Sequence, residues 1–158
     1  MTTLYVDNIA PNLQSRVSVP GHVIQVVESI STTRDETTST SYVTSSVSGS
    51  ITPTSSTSKI LVLTSLLYEK RDDSNSLYST IFRDSTNIGS GSQDGLARFR
   101  TIGSTVANSQ LTTHLLDSPS TTSEITYTVY FKSQVSGQTV KFVNDTIPGR
   151  ITLMEIAG

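Results

Sequence analysis

GSITPTSSTSKILVLTSLL, residues 49–67, decides how this chain folds. It opens with hydroxyl side chains around Pro53 and runs straight into Ile60-Leu61-Val62-Leu63, one of the most apolar stretches present. The segment TPTSSTS (52–58) has few apolar atoms to bury, and its proline donates no hydrogen bond. It therefore predicts a surface loop joining two strands. An apolar run without alternation, bounded by turn residues, predicts a strand covered on both of its faces. Upstream, YVTSSVSGSI (42–51) places Val43, Val47 and Ile51 on one face of the preceding strand. The hydroxyl stretch is a connector and the greasy stretch is core.

Working outward, SEITYTVYFKS (123–133) alternates strictly: Ile125, Tyr127, Val129 and Phe131 against Thr126, Thr128, Tyr130 and Lys132. A period of two marks a sheet with one buried face. Ser136-Gly137 supplies a turn in which glycine can take positive φ, and Val140 and Phe142 belong to the strand returning from it. ITLMEI (151–156) sets Ile151 and Leu153 opposite Thr152 and Met154. Further strands are expected at GHVIQVVESI (21–30), LYSTIFRD (77–84), 86–88, LARFRTI (96–102) and SQLTTHLLD (109–117). Eight to ten short strands with turn signals about every ten residues predict an all-β, antiparallel β-sandwich of jelly-roll type. No amphipathic helix and no internal repeat stands out. Residues 1–20, with two prolines and no sustained period, read as an extended N-terminal arm, and 21–158 as a single sandwich domain.

Composition agrees. About a third of the 158 residues are Ser or Thr, and only 15% are charged. Val, Ile, Thr, Tyr and Phe recur throughout, the residue types that suit a pleated, half-buried surface rather than disorder. The net charge of −2 is spread without a basic stripe, which argues against nucleic acid as a partner. No window of eighteen apolar residues suggests a membrane span, and the N-terminus lacks the pattern of a secretory signal. With no cysteine there is no disulfide framework and no thiolate metal site, which fits synthesis in a reducing cytoplasm.

Catalytic chemistry finds little support. His22 and His114 each sit alone in an expected strand and read as packed or surface imidazoles rather than metal ligands. His114 lies near Asp117, and serines abound, but no G-x-S-x-G elbow accompanies them. NIGSGSQDG (87–95) lacks the lysine of a phosphate-binding loop and reads as a connector. KRDDSNS (70–76) offers calcium-type oxygens on Asp72, Asp73 and Asn75 without EF-hand spacing, and reads as a solvated turn. The glycosylation pattern at Asn144 has meaning only on a secretory route. No catalytic, cofactor or metal residue is therefore expected. Tyrosines are scattered along the chain, and Tyr68 and Tyr78 are the candidates for stacking against a glycan.

Five segments in order, PGHVIQVV (20–27), SITPTSSTSKILV (50–62), RDSTNIG (83–89), LDSPSTTSEITYTVYFKS (116–133) and ITLMEI (151–156), together resemble a β-domain recurring in structural proteins of tailed bacteriophages, notably phages of marine bacteria. In that family a similar G-H-V-hydrophobic-Q-V strand leads to a Ser/Thr loop and an S-K-I-L-V strand. The resemblance covers most of the chain from about residue 20 onward. Its motifs belong to the scaffold and carry over no catalytic residue. It implies a non-enzymatic virion component, assembled in the host cytoplasm and placed on the virion surface. The form would be a head decoration protein (cement or knob) or a tail-fibre tip. It also implies a homo-oligomer, with a trimer the family's example, and a major capsid protein or other virion protein as partner. No shaft or coiled-coil segment precedes the domain, which favours the decoration form, anchored through Leu4, Tyr5, Val6 and Ile9 of the arm. The alternative is a tail-fibre or receptor-binding module that recognises host surface glycan.

Overall fold

The computed structural model describes residues 19–71, 74–89, 95–100, 103, 106–142 and 147–158. Eleven strands are found among them and no helix: β1 (Val23–Ser31), β2 (Asp35–Thr37), β3 (Val43–Ile51), β4 (Lys59–Lys70), β5 (Ser76–Arg83), β6 (Thr86–Asn87), β7 (Ala97–Arg100), β8 (Ala107–Asp117), β9 (Ile125–Ser133), β10 (Val140–Phe142) and β11 (Gly149–Ile156). Every pairing is antiparallel. One sheet runs β1-β11-β4-β8, and β10 and β2 extend it beside the last turn of β4. The other runs β3-β9-β5, with β6 and β7 sharing the far edge of β5.

The chain crosses between the sheets as it goes: β3, β5 and β9 lie in one, and β4, β8 and β11 in the other. Strands from the two ends of the sequence meet inside each sheet, β1 beside β11 and β3 beside β9. That interleaving is the strand order of a jelly roll.

The core lies between the two inner faces. β4 supplies Ile60, Val62, Leu66 and Tyr68, β9 supplies Tyr127, Val129 and Phe131, and β11 supplies Ile151 and Leu153. The alternation expected of 123–133 is realised, with the odd-numbered side chains of β9 buried and the even-numbered ones half-covered. Phe142 packs into the core toward the end of β4, its ring 4.4 Å from Phe131 and 5.0 Å, edge-on, from Tyr68.

Two elements depart from expectation. The strand after Ser136-Gly137 does not return beside β9. Gly137 does take positive φ, at 80°, but the chain crosses to the other sheet, where β10 pairs with β4 and β2. All three residues of β10 are buried, and its place beside β4 brings the Phe142 ring between Tyr68 of β4 and Phe131 of the facing sheet. The second is β2, whose sequence Asp-Glu-Thr carries no strand signal. Asp35 holds it by accepting hydrogen bonds from the Ser46 amide at 2.8 Å and the Ser46 hydroxyl at 2.7 Å.

The hydroxyl stretch 52–58 is the connector between β3 and β4, and it is pinned from below. Glu155, fully buried, accepts from the Thr54 amide and the Thr54 hydroxyl at 2.7 Å each, and from Gln25 Nε2 at 2.6 Å. Registers Ile60↔Asp117, Ile60↔Glu155 and Ile51↔Ile125 put this loop, the loop 118–124 and the start of β1 at one end of the sandwich. The links 32–34 and 134–139, with Arg71 and Asn75, lie at the other.

Candidate interaction surface

β4 is apolar on both sides, and only one side is core. Ile60, Val62, Leu66 and Tyr68 point inward, while Leu61, Leu63 and Leu67 point outward and are only partly covered. The expectation that Ile60–Leu63 is buried on both faces therefore holds for one face alone. No second layer lies over the outer side among the described residues, because the other sheet takes up the inner one.

The registers show what surrounds this outer stripe. Met154 on β11 and Leu116 on β8 flank Leu61, and Val26 on β1 flanks Met154, so one apolar row crosses four strands. Beyond it lies Ile156, paired with Val23. Val23, Val26 and Leu116 are 54%, 55% and 51% exposed. The next rows turn polar: Glu28, Thr152, Leu63 and His114, then Ile30, Arg150, Ser65 and Thr112. At the far end of the sheet Glu36, Lys141 and Glu69 form a charged row, with Lys141 Nζ 3.2 Å from Glu36 and Glu69 2.7 Å from Arg71. The face is thus apolar near the start of β1 and charged at the opposite end. An exposed apolar row rimmed by polar residues is the kind of surface that can meet protein.

The chain enters beside that apolar end through a tight reversal. The His22 amide bonds the Val19 carbonyl at 2.9 Å across Pro20 and Gly21, and Gly21 has φ of 85°. Proline followed by a left-handed glycine under an i to i+3 hydrogen bond is a type II turn. The Gly21 amide then donates to the Ala157 carbonyl, and the Ala157 amide to the His22 carbonyl, at 2.8 Å each, extending the β1–β11 ladder.

The acids that might serve chemistry are held by structural partners. Asp117 accepts from Arg83 Nη1 at 2.9 and 3.1 Å and from the Tyr127 hydroxyl at 2.8 Å, tying the end of β8 to the opposite sheet. Burial, and then the Asp117 carboxylate, push the Tyr127 phenol far above its ordinary range. Burial alone would raise the Glu155 carboxyl. The Thr54 hydroxyl, Gln25 and the Thr54 amide reverse that and hold it below its ordinary value of 4.5. The buried Ser58 hydroxyl beside it also lowers it, second to the Thr54 hydroxyl.

No family model matches the chain, and no curated protein matches it. Among solved structures it is similar to that of infectious bursal disease virus Gt strain, with 11% identity over 98% of this chain and 43% of that one, at a TM-score of 0.42. It is also similar to the VP2 subviral particle of infectious bursal disease virus, with 13% identity, 96% and 43% coverage and a TM-score of 0.44. The chain spans about two fifths of the length of those viral chains.

Of the residues singled out from sequence, Leu4, Tyr5, Val6 and Ile9 lie outside the described residues, as do Asp72 and Asp73. Tyr68 is fully buried, its hydroxyl 2.8 Å from Ser79 Oγ, and burial pushes its phenol up to about 12. Tyr78 is 5% exposed, with the Arg98 guanidinium 5.2 Å and Lys132 Nζ 5.4 Å from its ring. Neither ring offers a free face to a sugar, which corrects the stacking assignment. His114 and Asp117 project from opposite faces of β8, so they do not form a relay. Asn75 Oδ1 is not free for calcium: it accepts from the Ser76, Gln134 and Val135 amides and from the Ser133 hydroxyl. Sequence reasoning missed Val26, Met154 and Leu116. Their signal was an apolar residue directly following another, in Val26-Val27, Leu153-Met154 and Leu115-Leu116, which a one-faced strand does not need.

Proposed function

We propose that this chain is a non-enzymatic structural protein of a virus particle, in the form of a capsid decoration protein. One observation carries the reading: among the described residues every acid except the exposed Glu124 is engaged by a structural partner, namely Glu28, Asp35, Glu36, Glu69, Asp84, Asp117 and Glu155. Added to two solitary, exposed histidines, this leaves a rigid two-sheet body whose working parts are its surfaces. The ordered resemblance of five segments to tailed-phage virion domains points the same way.

In this reading Leu4, Tyr5, Val6 and Ile9 supply an apolar contact to the shell protein or a sister subunit. Weak contacts of this size become strong when several linked copies bind at once. The hydroxyl-rich surface keeps a crowded particle soluble without a large net charge.

The test is incorporation. Particles assembled with the full chain should carry it through sedimentation, and a chain lacking residues 1–18 should be left behind while still folding. Equal incorporation of both would remove the arm from the account. Turnover of a host polysaccharide by the purified chain would remove the non-enzymatic reading.

A further inference from the structure

We infer that the apolar row Val26–Met154–Leu61–Leu116 is the seat of this chain's own residues 1–18, whose Leu4, Tyr5, Val6 and Ile9 cover it in the free protein. The inference concerns the isolated chain and stands apart from the assembly reading.

Three observations lead there. First, β4 is a doubly apolar strand with only one side covered among the described residues, and the uncovered side is flanked by apolar residues on all three companion strands. Second, the Val19–His22 turn reverses the chain. Val19, the residue to which 1–18 are joined, is therefore tethered at the edge of that face. The turn stands at the apolar end of the face, next to Val23 and Ile156, not at the charged end. Third, length suffices. The nine residues 10–18 can span about 30 Å, whereas the row crosses four strands, about 15 Å.

Magnitude decides between the chain's own segment and that of a second copy. A segment tethered this closely acts at an effective concentration on the order of millimolar. Separate chains at micromolar concentration are about a thousandfold poorer competitors, so the free protein closes on itself.

The absence of native cysteine makes the test clean. In the full chain, Leu116→Cys would be combined in turn with Leu4→Cys, Val6→Cys and Ile9→Cys, and disulfide formation followed at micromolar protein. The control replaces Leu116→Cys by Thr128→Cys, on the outer face of the opposite sheet. At least one pair should close within a single chain about tenfold faster than its control. Equal rates at all three positions overturn the inference. Cross-links between chains also overturn it and give the face to a second copy. A second readout uses the native chain: trypsin cuts after Arg16, and the exposed substitution Val26→Asp should speed that cut about tenfold while near-ultraviolet circular dichroism stays unchanged. An unaltered cleavage rate in that folded variant counts against the seat.

Discussion

At the scale of single residues, the side chains that look most like chemistry are fasteners. Asn75 gathers three backbone amides and the Ser133 hydroxyl on one carbonyl oxygen, so it joins the start of β5 to the end of β9. Its Nδ2, buried as well, meets no acceptor among the described residues. Asn75→Ala should cost about 2–4 kcal/mol in urea unfolding, because several buried donors lose their acceptor together. Asn75→Asp keeps that acceptor and removes the idle donor, and should cost far less; an equal loss would show that the oxygen is not what matters. Glu155 makes a statement about pH. Its folded carboxyl titrates below its ordinary value of 4.5, so its contribution to stability is present above that value. That contribution is lost as pH falls through the lower, folded value. Urea melts of the chain and of Glu155→Gln should differ most near neutral pH and converge as the medium becomes acid. A gap that widened on acidification would contradict the assignment.

At the scale of elements, the edge strand β8 depends on its last residue. Asp117 bonds across to the opposite sheet through Arg83 and Tyr127, whereas Thr113 and Gln110 bond within their own sheet. Asp117→Ala should cost about 1–3 kcal/mol, discounted because Arg83 retains access to water. Hydrogen exchange should quicken in the second half of β8 before it does in β4; uniform acceleration would mean that the strand is held by its ladder alone. Most strands were legible beforehand, since β9, β11 and β3 announce one buried face through a period of two. β2 was not, because a three-residue strand of Asp-Glu-Thr is made by a carboxylate on Ser46 and not by burial. β10 was legible as a strand but not as a partner, since nothing local tells a short strand which sheet it will join. The outer row was half-legible. Unbroken apolar pairs show that a second face needs cover, while only the registers show that those pairs line up.

At the scale of the whole molecule, the interleaved order makes the sheets interdependent. β1 and β11, the first and last described strands, are neighbours, and β4 between β11 and β8 binds the middle of the chain to both. Unfolding should therefore be one cooperative step, with near- and far-ultraviolet circular dichroism tracing the same urea curve; two separated transitions would mean that the sheets part independently. The same connectivity brings the turn at 19–22, the loops 52–58 and 118–124, and Gly158, which abuts the Thr57 carbonyl, to one pole. A label joined after Gly158 and another inserted at Ser136-Gly137 would accordingly stand about 40 Å apart, one at each tip. Read by electron-dense tags, that pair becomes a compass needle telling which tip a mounted subunit turns toward its support.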